Sequence, residues 1–553
     1  MIRRTGSSGS RGESSNRRFA RLPGFLRSLV TDSGYRLALL SALLFSLAYP
    51  PLPLGFLAYF CLVPLVAATS GAGFRRGFRL GYVFGLFQSL ILLYWVGIGV
   101  KTYVLATGGG GGAWTGFLLT WVAVPLITLA VAAIQSLYTA LMAGCFGWLS
   151  RGRGIWLFSF PVLWTAMEYS RSLTQLAFPW VELAYTQSSM VPMIQSASWW
   201  GHLGVGFILA AVNLLFYLAR ERWHRSWAGA VKPLAAAGAI LLLLLLHGLS
   251  VDYSAEGEEV DVALVQHNLS MEEKYGDRSD DTRRDLIRMA LLWGRNSDLV
   301  VFPELTLQYP LREVADGATW TTLARTLESA LLMGTIEREE RDGEVCTFNS
   351  AVQVGPGGEV EHTKYKKMLV PFSERTPYSD QFPFLRGLRF GGADHCRGDS
   401  ITVFHLSSSA YSTMICYEVA FGGLNREAVL KGAEFLVAIM NNSWWGRSSI
   451  IWQHSCIVPF RSVENRRWYA CCSNSGFSFF CDPMGRVLGR TDLFTRTGTR
   501  RTIRSNDDIT FYTRHGKWVE LAAPLMALVL LLLGGVREML RRRQRTGLTG
   551  ERD

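Results

Sequence analysis

Long apolar stretches in the first half of the chain constrain its fold more than any other feature. The run from Leu234 to Leu246, inside the apolar segment 232–250, has no polar face to turn towards water. A bilayer requires about 20 mostly apolar residues per spanning helix, because each backbone polar group must be satisfied inside the helix there. The sequence therefore predicts membrane-spanning helices in residues 36–250 and excludes a water-soluble fold for them.

Eight spans are predicted, at 37–50, 53–70, 80–100, 114–147, 154–170, 196–218, 232–250 and 518–536. The fourth is longer than one perpendicular helix needs, so we expect it to be tilted, to protrude into water or to contain a break. The predicted domains are a basic, disordered arm (1–35), a membrane domain with seven spans (36–250), a water-facing domain (251–516), the eighth span (517–536) and a basic tail (537–553).

The positive charge follows the predicted membrane segments. The net charge is +12, and the arginines cluster at 3–27, 75–79, 151–153, 220–225 and 541–545. With eight spans, all five clusters lie on one side of the membrane, which the positive-inside rule assigns to the cytoplasm. Both termini are then cytoplasmic and residues 251–516 are extracytoplasmic. Because these charges have a topological role, we expect no nucleic-acid partner.

Residues 251–516 have the composition of a soluble protein. Short β-branched runs alternate there with amphipathic stretches, which indicates an α/β domain with helices covering a sheet core. Buried strands are predicted at 260–266, 298–302, 331–336, 400–406, 413–416 and 434–439, and helical periodicity extends over 280–293 and 448–466.

Three reactive side chains follow apolar strands or turns of this domain, namely Glu304, Lys366 and Cys416. Considered singly, Glu304 is typical of a solvent-exposed turn, Lys366 of a lysine-rich surface turn and Cys416 of a buried core thiol. Acyl transfer, however, needs all three residue types together. A thiol near its usual pKa needs a base, which a carboxylate provides. A lysine ammonium and a backbone N–H, such as that of Tyr417, can stabilise the oxyanion. Glu374 and Glu418 would hold the lysine and the base in place.

Metal and disulfide frameworks are not favoured by the remaining pattern. The nine cysteines contain no CxxC pair and no regular spacing, which leaves open whether those in 346–481 pair. No His/Glu metal pattern is found, so we expect neither metal nor cofactor.

Glu304, Lys366 and Cys416, in this order, resemble the motifs of the nitrilase superfamily. Longer motifs are similar to those of its bacterial membrane family, the apolipoprotein N-acyltransferases: LVPFSE at 369–374, CYE at 416–418, NSWWG at 442–446, WQH at 452–454, Arg461-x-x-Glu464, and Trp164, Glu168, Arg171 and FPW (178–180) in the membrane half. The chain departs from that family's pattern at Ser373 (usually Gly), Ser443 (usually Asp) and Lys274-Tyr275 (often Lys-Trp). The departures affect substrate contacts more than chemistry.

The resemblance implies an extracytoplasmic αββα sandwich joined to the helical bundle. It implies ping-pong transfer of a fatty acyl chain, through a thioacyl-cysteine at Cys416, from a phospholipid (phosphatidylethanolamine) to the α-amine of a diacylglyceryl-cysteine apolipoprotein. The implied location is the bacterial inner membrane, with the catalytic domain on the periplasmic side. Candidate substrate-lining residues are Tyr275, Trp444, Trp445, His454, Phe178 and Trp180. We expect a monomer, since no oligomerisation signal is found.

Two alternatives remain open at this stage. A membrane-anchored nitrilase-like amidohydrolase would use the same three residues and release the acyl group to water. A non-enzymatic membrane scaffold would carry an inert external domain. The aromatic loop at 168–187 also has two possible roles: it could anchor a span at the membrane interface, or it could admit a lipid.

Overall fold

The computed structural model describes residues 29, 31–106, 113–270, 273, 279–311, 317–341, 343–387 and 394–549. The helices outside the sheet domain are α1 (Ser33–Ala48), α2 (Val63–Thr69), α3 (Phe74–Leu92), α4 (Trp95–Ala106), α5 (Ala113–Leu118), α6 (Val124–Leu149), α7 (Ser159–Ser170), α8 (Val191–Ile194), α9 (Ala197–Trp223), α10 (Trp227–Ser250) and α16 (Phe511–Thr549). Short 3-10 helices lie at Gly55–Tyr59, Ser150–Gly152, Gly154–Phe158 and Leu183–Gln187.

Within the described ranges, four helices are long and apolar enough to cross a membrane: 116–152, 197–223, 227–250 and 511–544. A fifth candidate is a pair, 74–92 and 95–102, bent by 48°. The chain is therefore a multi-pass membrane protein, while the count of eight spans stays a prediction. The shorter apolar helices at 33–48 and 55–69 correspond to the first two predicted spans.

Several boundaries differ from those predicted. The fourth predicted span is one continuous helix, in which a π-helical turn at Leu119–Ala123 lies between α5 and α6. Pro125 lies in the first turn of α6, and its missing N–H removes one helical hydrogen bond next to that turn. Ser33 already begins a helix within the predicted arm, of which residues 1–28 and 30 lie outside the described residues. The last helix begins at Phe511 and continues to Thr549.

The sheet domain contains two six-stranded sheets. The first has the order β12-β1-β2-β3-β4-β5 and the second β11-β10-β9-β8-β7-β6. The strands are β1 (Glu259–Gln266), β2 (Leu299–Val301), β3 (Ala330–Arg341), β4 (Glu344–Val354), β5 (Val360–Tyr365), β6 (Val403–His405), β7 (Ala410–Ile415), β8 (Phe435–Met440), β9 (Tyr469–Ser473), β10 (Phe479–Cys481), β11 (Val487–Leu488) and β12 (Thr497–Arg504). The helices are α11 (Ser279–Trp293), α12 (Gly317–Leu327), α13 (Gly422–Leu430), α14 (Ile450–Ser455) and α15 (Val458–Asn465), with 3-10 helices at Pro383–Gly387, Cys416–Ala420 and Ser443–Trp445.

The two sheets pack face to face with helices outside them. Alternate residues of each strand separate the layers: Val262 and Leu264 of β1 lie in the core between the sheets, whereas Ala263 and Val265 pack under α11 and α12. The second sheet is covered by α13 and α15. This is the four-layer αββα sandwich. Successive residues of a strand face opposite sides of the sheet, and here both sides are buried.

Candidate active site

The three predicted catalytic residues follow strands of the two sheets. Glu304 lies three residues after β2, Lys366 directly follows β5, and Cys416 directly follows β7. Cys416 has a φ of 52°, a left-handed conformation that is uncommon for a residue with a side chain. This sharp turn ends the strand and starts the 3-10 helix Cys416–Ala420, so the thiol lies at the carboxyl end of β7. Strained backbone of this kind is concentrated at functional sites.

Lys366 lies between two carboxylates. Its Nζ is 3.0 Å from Glu304 Oε1 and 2.8 Å from Glu374 Oε1. Asn349 Nδ2 donates to the same two oxygens at 2.8 and 2.9 Å. Burial disfavours the ammonium, but attraction by Glu304 and Glu374 outweighs it and raises the pKa of Lys366 well above its usual value. Lys366 is therefore a fixed positive charge and not a base.

Glu374 is held in its ionised form. Burial opposes the charge, yet the Lys366 ammonium and the backbone N–H of Val370, which donates to Glu374 Oε2 at 2.9 Å, lower the pKa of Glu374. Two carboxylates thus share one ammonium beside the thiol.

The Cys416 thiol is half-buried and interacts electrostatically with both Glu304 and Lys366. Burial, with a further contribution from the negative charge of Glu304, raises the pKa of Cys416; Lys366 and a hydrogen bond from the backbone of Asn441 oppose that shift. The resting group is therefore a neutral thiol. Moving its proton to a neighbouring carboxylate leaves the total charge of the site unchanged, which is the least costly way to form a thiolate in a buried site.

Glu418 is fully buried and joins the cysteine turn to the lysine segment. Its Oε2 is 2.6 Å from Lys364 Nζ and accepts the backbone N–H of Ile415 at 2.9 Å. Its Oε1 accepts the backbone N–H of Lys367 at 2.7 Å and that of Met368 at 3.3 Å. The two reactive segments consequently keep a fixed separation.

Tyr417 connects the thiol to the membrane half. Its hydroxyl donates to the Ala177 carbonyl at 2.6 Å, and its ring stacks on Phe178 and Trp180 with centroids 6.3 and 6.0 Å apart. The backbone N–H of Tyr417 lies in the first turn of the 3-10 helix, where N–H groups have no acceptor within the helix. An N–H group in this position can donate to an oxyanion formed at Cys416.

His454 contacts the cysteine through the backbone. Its Nε2 lies 3.1 Å from the Cys416 carbonyl oxygen, which can only accept, so Nε2 carries the proton. Burial lowers the pKa of His454 to about 4, and the imidazole is neutral at physiological pH. With its Nε2 committed in this way, His454 supports the cysteine turn.

The other predicted lining residues lie in different surroundings. Phe178 and Trp445 are half-buried against Trp95, at 6.5 and 4.9 Å between ring centroids, and Trp180 is buried beside them. Trp444 is half-buried in the turn after β8. Tyr275, with Lys274, lies outside the described residues.

Asn349, Lys364, Trp95 and Gln453 were missed as site residues by sequence reasoning. The sequence places Gln453 in the WQH motif and Trp95 in an apolar span, with no further indication of a role at the site. Lys364 shares one face of β5 with Lys366 through the strand's period of two, the one signal that could have identified it.

A disulfide joins Cys346 of β4 to Cys396. It lies beside the site, because His395 donates its backbone N–H to the Glu374 carbonyl at 2.9 Å and Gly398 donates to that of Lys366 at 2.9 Å. This pairing resolves what the sequence left open for these two cysteines. Among the described residues, no group of three or more His, Cys, Asp or Glu side chains could hold a metal ion.

Known proteins resemble the chain in both halves. Residues 41–215 match the model of the apolipoprotein N-acyltransferase N-terminal domain, and residues 261–506 match that of carbon-nitrogen hydrolases. An amidase from Nesterenkonia sp. aligns with 49% of this chain and 98% of its own at 18% identity and a TM-score of 0.33, which adds nothing to the family assignment.

Full-length relatives decide the family. The apolipoprotein N-acyltransferase of Geobacter metallireducens is 31% identical over 90% of this chain and 94% of that protein. The one from Chlorobaculum tepidum is 27% identical over 92% of this chain and 98% of its own. With both halves matched and nearly the whole length aligned, the chain belongs to the apolipoprotein N-acyltransferase family.

Proposed function

We propose that this protein transfers a fatty acyl chain from a phospholipid, phosphatidylethanolamine, to the N-terminal α-amine of diacylglyceryl-cysteine lipoproteins. The observation that carries the proposal is the half-buried Cys416 thiol beside the buried Glu304–Lys366–Glu374 group, joined through Tyr417 to the aromatic loop of the membrane half. A soluble hydrolase would need the first arrangement alone. A lipid-to-lipoprotein transferase needs both, since its two substrates are anchored in the bilayer.

In the first half-reaction, Glu304 takes the thiol proton as sulfur attacks the sn-1 ester carbonyl. Lys366 and the backbone N–H of Tyr417 stabilise the oxyanion. The carbon–oxygen bond of the ester then breaks, Glu304 returns the proton to the departing oxygen, and lysophospholipid leaves a thioester on Cys416. Lys366 retains its charge throughout, as its raised pKa requires.

In the second half-reaction, the lipoprotein amine attacks the thioester carbonyl. Glu304 removes a proton from the attacking nitrogen and returns one to the departing Cys416 sulfur. The amide forms, the thiol is restored, and the same oxyanion donors serve both steps.

Cys416→Ala should abolish formation of the acyl-enzyme. Incubation of the purified protein with phospholipid should add the mass of one fatty acyl group to wild type and none to the variant. With fluorescent phospholipid and a diacylated lipopeptide, label should move to the peptide only with wild type. Cys145→Ala, which changes a half-buried cysteine of α6, is the matched control and should remain active. Label released by wild type only as free fatty acid would refute acyl transfer to amines.

The protein's location is part of the proposal: a monomer in the bacterial inner membrane with eight spans and a periplasmic catalytic domain from 251 to 516. The arginine clusters support that orientation. The Cys346–Cys396 disulfide supports it independently, because disulfides persist in oxidising compartments and are rare in the cytosol.

Replacing both Cys346 and Cys396 with serine should lower the free energy of unfolding by about 2–4 kcal/mol, since the bond closes a long loop. The measurement is the melting temperature in detergent, with and without dithiothreitol. Reductant should lower the melting temperature of wild type and leave that of the double variant unchanged. Free thiols at both positions in freshly isolated protein would count against the extracytoplasmic placement.

A further inference from the structure

Gln453 lies at the junction of the membrane helices and the catalytic domain, with every hydrogen-bonding position of its amide occupied. Its Oε1 accepts the indole N–H groups of Trp95 and Trp180, both at 3.0 Å. Its Nε2 donates to the Leu92 carbonyl at 2.9 Å and to Ser449 Oγ at 3.2 Å. The orientation of the amide is fixed by these partners, because two donors face the oxygen and a carbonyl faces the nitrogen.

The hydrogen bond to Leu92 provides a donor for a carbonyl at a bend in a membrane helix. The chain bends by 48° between α3 and α4, and the N–H of Val96 bonds to the Leu93 carbonyl instead of that of Leu92. A carbonyl released from a helix in an apolar environment costs several kcal/mol unless it gains another donor. Gln453 is that donor, so a residue of the catalytic domain stabilises the bend.

The bonds to Trp95 and Trp180 fix the base of an aromatic surface. Both indoles are buried, and the half-buried rings of Phe178 and Trp445 pack on Trp95. Trp180 also stacks on Tyr417, next to the nucleophile. The aromatic surface formed by Phe178, Trp180, Trp95 and Trp445 therefore extends from the bent membrane helix to Cys416.

We propose that Gln453 is a positioning residue for the acyl donor: by fixing the helix bend and both indoles, it holds the aromatic surface on which the fatty chain lies while Cys416 attacks. The inference rests on the proposed function. Gln453 does not support the nucleophile directly, since the Cys416 turn has its own bonds from His454 and Glu418. Loss of Gln453 should thus slow acylation by long-chain donors and spare acylation by a small ester.

Gln453→Leu tests this with two acyl donors, read as thioester formation by intact mass. With a long-chain phosphatidylethanolamine in detergent micelles, the acylation rate should fall about tenfold or more, because misplacement of about 1 Å can cost up to 10²-fold. With p-nitrophenyl acetate, the acylation rate should stay within about twofold of wild type, since no chain needs positioning. Across phospholipids of increasing chain length, the ratio of the wild-type rate to the Gln453→Leu rate should increase, because a longer chain has more contact with the aromatic surface.

Two milder variants separate the parts of the network and keep the test valid if Gln453→Leu fails to fold. Gln453→Glu keeps an acceptor for both indoles and, when ionised, cannot donate to Leu92. Trp180→Phe keeps the ring and removes one indole donor. Both should fall between wild type and Gln453→Leu with the phospholipid, and Gln453→Glu should match wild type with p-nitrophenyl acetate.

Equal slowing with both donors would overturn the inference, because Gln453 would then act through the nucleophile. Unchanged rates with both donors would overturn it as well. If wild type itself reacted with p-nitrophenyl acetate but with no phospholipid, the proposed function would fail, and the inference with it.

Discussion

Replacing Glu304 with glutamine should slow thioester formation by about 10²–10⁴-fold, the range that a positioned general base contributes. Burial raises the pKa of the Cys416 thiol, so only a very small fraction of it is thiolate at neutral pH without a proton acceptor beside it. Glutamine keeps the shape of Glu304 and can still accept from Lys366 and Asn349. The loss should thus reflect proton transfer and not a collapsed site.

The pH dependence of the rate identifies this cause. In Glu304→Gln, reaction requires spontaneous ionisation of the thiol. The thiolate fraction grows about tenfold per pH unit below the thiol pKa, so the rate should rise with that slope from pH 7 to 9. Glu374→Gln is the matched control: it also removes a carboxylate from Lys366 but leaves the base, so it should lack that slope. A Glu304→Gln rate equal to wild type would reject the assigned role.

The sequence predicted the reactive residues because their chemistry is tied to local position. Each follows a strand: Glu304 and Lys366 follow β2 and β5 of the first sheet, and Cys416 follows β7 of the second. Catalytic groups of α/β domains are concentrated at such strand ends, where loops begin. Their catalytic roles remain predictions. The strands β2 and β8 were predicted because they are continuously apolar and buried on both faces. The strand β1 was predicted because its mostly apolar run is interrupted only by Asp261 before Gln266.

Elements with mixed composition were missed for the converse reason. The strand β5 has the sequence VEHTKY and is partly exposed. The strand β12 has the sequence TGTRRTIR, so neither strand forms an apolar run. The helical stretch 448–466 is two helices, since Pro459 lacks the N–H that a continuous helix requires and begins a new one.

Contacts between distant segments could not be predicted from local pattern. Trp95 and Gln453 are separated by 358 positions. The glutamine's partners exist only after the catalytic domain has docked on the bent helix. The same holds for Lys364 and Glu418, 54 positions apart. A period of two places Lys364 on the Lys366 face of its strand, but the sequence does not reveal which carboxylate lies opposite.

The second large effect should come from Glu418→Ala, which we expect to lower the free energy of unfolding by about 3–5 kcal/mol. The Lys364 ammonium would remain fully buried without its partner, and burial already lowers the pKa of Lys364. The backbone N–H groups of Ile415, Lys367 and Met368 would lose an acceptor at the same time. Melting temperature in detergent, measured by intrinsic fluorescence, gives the size of the loss.

Lys364→Met is the matched control and should cost less than Glu418→Ala. The Glu418 carboxylate would keep three backbone donors, whereas an isolated ammonium keeps only the Thr413 carbonyl. Combining Lys364→Met with Glu418→Gln removes both charges and retains an amide acceptor, so the double variant should be more stable than Glu418→Ala. Equal melting temperatures for all three variants would contradict the claim that the unpaired, buried Lys364 ammonium causes most of the destabilisation. The rate of thioester formation should fall most in the variant that loses most stability, because the Lys364–Glu418 pair fixes the cysteine turn against the segment that carries Lys366.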